Sequence, residues 1–90
     1  MFQIVITNKF KKDVKLIHKR GWDMELLKKV IEQFEDKGKL SRKIKPHKLT
    51  GDYSGYWEAH IKPDWLIIWK MLDNENEIWL VRTGTHSDLF

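Results

Sequence analysis

Hydrophobic residues recur along this chain with two different periods, and each period predicts one type of element. Phe2, Ile4 and Ile6 occupy alternate positions near the start, which predicts a short first strand with one buried face. From residue 8 onward the apolar residues are three or four positions apart instead. This spacing predicts that the strand is followed by amphipathic helices.

Two helices are expected between residues 8 and 37, because each apolar run has a start signal and a stop signal. Thr7 or Asn8 can cap the first helix, and Gly21 follows its end. Asp23 can cap the second, and Gly38 follows it. The predicted buried stripes are Phe10, Val14 and Ile17 on the first helix, and Leu27, Val30, Ile31 and Phe34 on the second.

The second half of the chain predicts a loop and three strands. No period holds from Leu40 to Gly55, a stretch long enough to suspect a functional loop. Short turns then separate three strands, which implies an antiparallel meander. The predicted strands are Tyr56 to Lys62, Trp65 to Leu72 and Glu77 to Thr83.

The middle strand begins with residues 65–69, which are apolar on both faces, so it is expected at the centre of the sheet with the helices on one side. Trp57, Trp69 and Trp79 are expected in the core. The predicted fold class is therefore α+β, in the order β-α-α-β-β-β, with two N-terminal helices packed on an antiparallel-rich sheet.

Length and composition narrow the class of protein. The chain has 90 residues, 41% of them hydrophobic, which suits one domain spanning residues 1–90 with a single core. It has no cysteine, which excludes disulfides, thiol nucleophiles and cysteine zinc sites. No apolar run reaches the roughly 20 residues that a membrane helix needs, and the N-terminus does not resemble a signal peptide. We expect a soluble, cytoplasmic protein.

Positive charge is concentrated in the first half of the chain. Residues 1–50 hold 14 Lys and Arg against 6 Asp and Glu, whereas residues 51–90 hold 3 against 7. Six basic residues from 37 to 48, with no acidic residue among them, form what we call the basic cluster. It suits phosphate contacts, and a solvated lysine-rich loop is an equal alternative. The basic cluster comprises Lys37, Lys39, Arg42, Lys43, Lys45 and Lys48.

Candidate chemistry falls in the loop and strand region. If the last hairpin is centred on Glu75, Asp64 faces His86 and Ile68 faces Arg82. The tight turn at Pro63 holds His60 close to Asp64, and His47 lies in the preceding loop. A slip of one residue in the hairpin would spoil these pairings.

Such a group has the parts needed to cleave RNA by attack of the 2′-hydroxyl on the adjacent phosphate. Histidines suit both proton transfers, and an arginine suits the extra charge on phosphorus. Trp65 and Phe90 are near the same group and could stack on bases. Alternatively, His60 is an outward-facing polar residue of a strand with no catalytic role. Zinc binding is a further alternative, although separations of 13 and 26 residues between the histidines match no compact metal motif.

Several motifs resemble the YafQ branch of the RelE toxin superfamily over nearly the whole chain. They are His47-Lys48-Leu49-Thr50-Gly51, Gly55-Tyr56, Ala59-His60-Ile61, Pro63-Asp64-Trp65, Arg82-Thr83-Gly84-Thr85-His86 and Leu89-Phe90. The resemblance implies a ribosome-dependent mRNA interferase of a type II toxin-antitoxin pair. It implies an antitoxin, the ribosome and mRNA as partners, and neither a metal nor a cofactor. We expect the free toxin to be a monomer, although the sequence does not determine its oligomeric state.

The resemblance also implies roles for the candidate residues. His47, His60, Asp64 and His86 become the acid and base candidates, and Arg82 the phosphate-binding cation. The basic cluster would contact RNA through Lys39, Arg42, Lys43, Lys45 and Lys48, and Trp65 and Phe90 would shape the RNA. Two alternatives stay open: a toxin of the same fold without nuclease activity, as in ParE-like relatives, and a basic ribosome-binding protein.

Overall fold

A mixed five-stranded sheet forms the centre of the protein in the computed structural model, which describes residues 2–40, 42–72 and 76–90. The strands are β1 (Gln3–Ile6), β2 (His47–Lys48), β3 (Trp57–Lys62), β4 (Trp65–Leu72) and β5 (Glu77–Gly84), and the helices are α1 (Asn8–Lys19), α2 (Met24–Lys37) and α3 (His86–Leu89). The order across the sheet is β1-β5-β4-β3-β2, with β1 parallel to β5 and the other pairs antiparallel. The predicted α+β class and the meander are confirmed.

The two long helices begin and end where their capping residues predict. The Thr7 hydroxyl accepts a hydrogen bond from the Phe10 N–H at 3.2 Å, and the Asp23 carboxylate accepts one from the Glu25 N–H at 3.0 Å. Gly38 ends α2 in the left-handed conformation, with φ of 69°. A Cβ atom there would overlap the Phe2 ring. Glycine is therefore required at this position for both conformation and space.

Strand β4 is central and buried on both faces, as predicted. Its odd-numbered residues Trp65, Ile67 and Trp69 pack beneath the helices with Phe10, Ile17 and Phe34. Its even-numbered residues Leu66 and Ile68 pack on the opposite face with Leu89. Because side chains alternate along a strand, the sheet has a helix face and an opposite face.

Two predicted core positions are wrong. Ile6 is 42% exposed, because β1 is the edge strand of the sheet. Trp79 is 36% exposed; its partner on β4 is the exposed Lys70, and its indole N–H donates to the Glu77 carboxylate at 3.1 Å.

The long loop has more structure than its sequence predicts. It contains two 3₁₀ turns, at Arg42–Ile44 and Gly51–Tyr53, and the short strand β2 between them. Helix α3, also unpredicted, follows β5 directly. The predicted hairpin centre at Glu75 lies outside the described residues. Among the residues that are described, no helix is both long and apolar enough to cross a membrane.

Candidate active site

The opposite face of the sheet carries the candidate residues of β2 and β3. Glu58 pairs with Ile68 and His60 with Leu66, so both side chains are on the face away from α1 and α2. His47 pairs with Glu58 across β2 and β3. Strand β2 therefore brings a loop histidine to the same surface.

Four aromatic rings form a row across this surface. The ring centroids of His47 and His60 are 6.3 Å apart, those of His60 and His86 are 5.9 Å apart, and those of His86 and Phe90 are 6.3 Å apart. Phe90 is 60% exposed. The structure thus brings together the three predicted histidines and Phe90, one of the two predicted stacking residues.

Asp64, at the β3–β4 turn, contacts the third ring of this row, His86. Its Oδ1 accepts a hydrogen bond from the backbone N–H of His86 at 3.2 Å and lies 3.4 Å from the Nδ1 of the same residue. Both side chains are more than half exposed. The contact leaves Nε2 of His86 as the ring nitrogen directed away from Asp64. The predicted proximity of Asp64 and His86 is confirmed.

Helix α3 holds His86 in place through its own caps and one ion pair. Thr85 and Asp88 form a capping box, in which each side chain accepts a hydrogen bond from the other's backbone. The Arg20 guanidinium donates to Asp88 through two nitrogens, at 2.6 and 3.0 Å. These hydrogen bonds, from Arg20 first and then from Thr85, hold the pKa of the Asp88 carboxyl well below its usual range. The helix that carries His86 is thereby tied to the end of α1.

Glu58 is a site residue that the sequence prediction missed. It is only 6% exposed, and its Oε2 lies 3.2 Å from Nε2 of His47. Nδ1 of His47 lies 3.1 Å from the Lys45 carbonyl, to which it can only donate. Nε2 of the same ring is then the nitrogen that faces the Glu58 carboxylate. The signal in the sequence was the spacing of two between Glu58 and His60 on one strand.

Arg82 reaches the opposite face because of a β-bulge. Leu80 pairs with Trp69 and Arg82 with Ile68, which leaves Val81 without a direct partner on β4. The bulge shifts the alternation by one residue, so Arg82 lies on the site face although Leu80 is in the helix-face core. The predicted pairing of Ile68 with Arg82 is confirmed.

The Arg82 guanidinium is bound by an aspartate of α1. Nε and Nη2 donate to the Asp13 carboxylate at 2.7 and 3.1 Å, and the Thr83 N–H donates to the same carboxylate at 3.1 Å. Hydrogen bonding to Asp13 raises the pKa of Arg82 above its ordinary value. Nη1 stays outside this ion pair. Asp13 is a second residue of the site region that the sequence did not identify.

Trp65 does not join the row of rings. It is 2% exposed, its indole N–H donates to the Thr83 hydroxyl at 2.9 Å, and its ring packs against Trp22 with centroids 4.9 Å apart. Its odd position on β4 places it beneath the helices. Trp65 therefore lies outside the row of rings, and its predicted contact with RNA stays a prediction.

The basic cluster divides into separate surfaces. Lys43 and Lys45 line a groove of about 460 Å³ that also borders His60, Lys62 and Pro63. Lys39 and Arg42 instead border a second groove, of about 270 Å³, beside Trp57. The Lys48 ammonium lies 5.5 Å from the centroid of the Trp57 ring. Lys43 and Lys45 are thus the members of the basic cluster that adjoin the row of histidines.

Three side chains of the site have the donor atoms to hold a metal ion. Glu58, His60 and His86 each offer one ligand atom, and these atoms lie within 4.8 Å of one another. Oε1 of Glu58 is buried and has no hydrogen-bond partner within the described residues. Imidazole and carboxylate ligands suit zinc, copper and nickel. The donor set therefore fits a transition metal ion.

Comparison with known proteins identifies the family. The family model for YafQ, the bacterial toxin of type II toxin-antitoxin systems, matches residues 2–90. The chain belongs to the YafQ family. It is 39% identical over 88 residues to the mRNA interferase toxin YafQ of Escherichia coli K12, covering 97% of this chain and 94% of that protein. The prediction made from the sequence motifs is confirmed.

Solved structures of bacterial toxins share this fold closely. A metal-bound toxin from Helicobacter pylori matches with a TM-score of 0.89 and 40% identity over the whole of both chains. A YafQ mutant from E. coli with glutamine in place of a histidine matches with a TM-score of 0.90 and 36% identity, over 100% of this chain and 99% of that one. YafQ in the E. coli DinJ-YafQ complex matches with a TM-score of 0.88 and 37% identity, with the same coverage.

Proposed function

We propose that this YafQ-family chain is the toxin of a type II toxin-antitoxin pair and an mRNA interferase that cuts mRNA in the ribosomal A site. The single observation that carries the proposal is the row of His47, His60 and His86 with two carboxylates on one exposed sheet face. The names of the E. coli relatives support the same activity.

The proposed reaction needs two proton transfers and one cation. The 2′-oxygen attacks the adjacent phosphorus and loses its proton to a base, while the bond from phosphorus to the 5′-oxygen breaks. An acid protonates the departing 5′-oxygen, and a 2′,3′-cyclic phosphate remains. Each histidine can take either role, because imidazole both accepts and donates protons near neutral pH.

We assign one of the two proton transfers at the scissile phosphate to His86, and the other to His47 with Glu58. Nε2 of His86 is directed away from Asp64, and the ring is more than half exposed, so a phosphate can approach it. The buried Glu58 carboxylate orients His47, which the Lys45 carbonyl holds from the other side. His60 lies between the two, with its ring centroid 6.3 Å from that of His47 and 5.9 Å from that of His86.

Positive charge for the phosphate would come from Arg82 and from the groove beside His60. Asp13 fixes the guanidinium fork and leaves Nη1 for a phosphate oxygen. Lys43 and Lys45 line the groove next to His60, where the RNA backbone would enter. Phe90, next to His86, would stack on a neighbouring base.

The proposed partners follow from the charge distribution. The first 50 residues carry a net charge of +8, which would attract ribosomal RNA and an acidic antitoxin. The structure of the DinJ-YafQ complex supports an antitoxin partner for this chain as well. Because Lys43 and Lys45 adjoin His60, an antitoxin that covers the basic cluster also blocks the candidate active site.

The test is cleavage of ribosome-bound mRNA by His86→Gln, with His18→Gln as a matched control on the exposed face of α1. We expect His86→Gln to fold and to bind ribosomes, while the cleavage rate falls by about 10² to 10⁴. His18→Gln should cut at the wild-type rate. A His86→Gln protein with full activity would contradict the assignment, and a wild-type protein that binds but never cuts would favour the ParE-like alternative.

A metal ion is the specific competitor to this mechanism, because Glu58, His60 and His86 fit one and the H. pylori relative is metal-bound. A bound ion would occupy the lone pairs of His60 and His86 that proton transfer requires. We therefore expect EDTA to leave cleavage intact and added Zn²⁺ or Cu²⁺ to inhibit it. Loss of activity in EDTA, restored by either ion, would show that the metal is required.

A further inference from the structure

A third groove, which we call the Trp22 groove, adjoins the candidate active site on the other side of the β3–β4 turn. Its volume is about 490 Å³, and it is formed by two turns that the tertiary fold brings together. The α1–α2 turn contributes residues 21–23, the β3–β4 turn contributes residues 62–64, and Trp65 completes the lining. None of the proton transfers proposed above uses this groove.

Asp64 connects the groove to the site. The same carboxylate lines the groove and contacts His86 through its backbone N–H and its Nδ1, at 3.2 and 3.4 Å. A phosphodiester held at His86 would therefore have an adjacent nucleotide within reach of the groove.

Trp22 supplies the groove with a fixed aromatic surface. Its ring is half-buried and packs on Trp65, with an angle of 55° between the ring planes. The guanidinium carbon of Arg20 lies 5.7 Å from the centroid of the Trp22 ring. Arg20 is itself held by Asp88, so these two contacts restrain the indole while Trp22 still lines the groove. A restrained aromatic ring in a groove is a favourable stacking partner for a nucleobase.

The two grooves beside the β3–β4 turn differ in charge, so one suits the phosphate of a nucleotide and the other suits its base. The groove beside His60 contains Lys43, Lys45 and Lys62 and no acidic residue in its lining. The lining of the Trp22 groove contains two carboxylates, Asp23 and Asp64, and one cation, Lys62, while Arg20 beside the Trp22 ring is paired with Asp88. Phosphate is attracted to the groove beside His60. The carboxylates of the Trp22 groove can accept hydrogen bonds from an exocyclic amino group, as on adenine, cytosine or guanine, which uracil lacks.

We propose that the Trp22 groove is a base subsite, which takes the base next to the scissile phosphate and favours an amino-bearing base over uracil. The inference rests on the proposed function, because the subsite selects among RNA substrates of the same active site. It makes Trp22 a residue that determines specificity.

The test compares Trp22→Leu, which keeps an apolar side chain against Trp65, with Trp22→Phe, which also keeps an aromatic ring. Trp79→Leu is the matched control, because Trp79 is exposed and does not line the groove. Cut positions and rates are mapped on ribosome-bound mRNA. We expect Trp22→Leu to lose about tenfold in rate at the preferred sites under limiting substrate. Trp22→Phe should stay within about threefold of the wild type, and Trp79→Leu should match it.

A binding measurement keeps the subsite separate from the nuclease activity. The wild-type protein is titrated with adenosine or uridine, which carry no phosphate for the lysines, and the indole N–H resonance of Trp22 is followed by NMR. Trp22→Phe assigns that resonance by its loss. We expect adenosine to shift it more than uridine does at the same concentration, and Asp23→Asn, which preserves the helix cap, to reduce the difference.

Failure of the subsite and failure of the proposed function give different results. If the wild type cuts no mRNA, the proposed function is wrong and the nucleoside titration alone decides the subsite. If the wild type cuts mRNA and Trp22→Leu retains its cut positions and rates, the subsite is refuted. Equal shifts of the Trp22 resonance with adenosine and uridine refute the selection for amino-bearing bases.

Discussion

The ion pair between Asp13 and Arg82 makes a sharp prediction about stability. Asp13→Ala removes the acceptor for two hydrogen bonds from the guanidinium and for one from the Thr83 N–H, at 2.7, 3.1 and 3.1 Å. The Asp13 and Arg82 side chains are only 12% and 23% exposed. Water can therefore replace the lost acceptor only in part, and an incompletely paired cation is left at the site face.

The expected cost follows from these contacts. Hydrogen bonds to charged groups contribute roughly 1.5 to 3 kcal/mol each, and breaking a fully buried ion pair costs about 3 to 5 kcal/mol. Because this pair keeps some contact with solvent, we expect Asp13→Ala to lower the free energy of unfolding by about 2 to 3 kcal/mol. A chain of 90 residues has a total stability of roughly 5 to 13 kcal/mol, so the loss is a large fraction of it.

The assay is urea unfolding of four proteins: wild type, Asp13→Ala, Arg82→Ala and the double variant. If the pair forms in solution, the double-mutant cycle should give a coupling energy of about 1 to 2 kcal/mol. Asp36→Ala, an exposed aspartate of α2, is the control and should change stability by less than about 0.5 kcal/mol. A coupling energy near zero would refute the inference that Asp13 fixes the Arg82 guanidinium.

Three further predictions concern other parts of the molecule. Asp88 has a lowered folded pKa, so its contribution to stability is present above about pH 4 and is lost as the pH falls through the folded pKa. Acid unfolding should therefore show wild type more stable than Asp88→Asn at pH 6, with a difference that shrinks below about pH 4; a pH-independent difference would contradict this. Gly38→Ala should lower the free energy of unfolding by more than about 1 kcal/mol, because φ is positive and a Cβ atom would overlap Phe2. Gly51→Ala is the control, because Gly51 also has a positive φ but no atom lies close to its Cβ position. Equal effects of the two substitutions would show that the overlap with Phe2 is relieved. Neutralising Lys43 and Lys45 together should weaken ribosome binding and lower the slope of log affinity against log salt by about 1 to 2. The control neutralises Lys28 and Lys29, which are exposed on α2. An unchanged slope would exclude phosphate contacts by Lys43 and Lys45.

The sequence by itself determined most of the secondary structure and the family. Thr7 and Asp23 begin the two long helices and Gly38 ends α2, each through contacts within a few residues, and the apolar run after Pro63 identified the central strand. Such local signals survive in the sequence because both partners are close along the chain. The predicted closeness of His60, Asp64 and His86 also depended on a short turn and one hairpin register.

The tertiary structure decided which face each side chain occupies and which partner it meets. The bulge at Val81 brings Arg82 to the site face, and the odd position of Trp65 on β4 buries it beneath the helices. The ion pair of Arg82 with Asp13 joins residues 69 positions apart, and that of Arg20 with Asp88 joins residues 68 apart. Such contacts depend on how helices and strands pack, because a shift of one residue in a strand reverses its faces. The periodicity of a single segment contains no information about that shift.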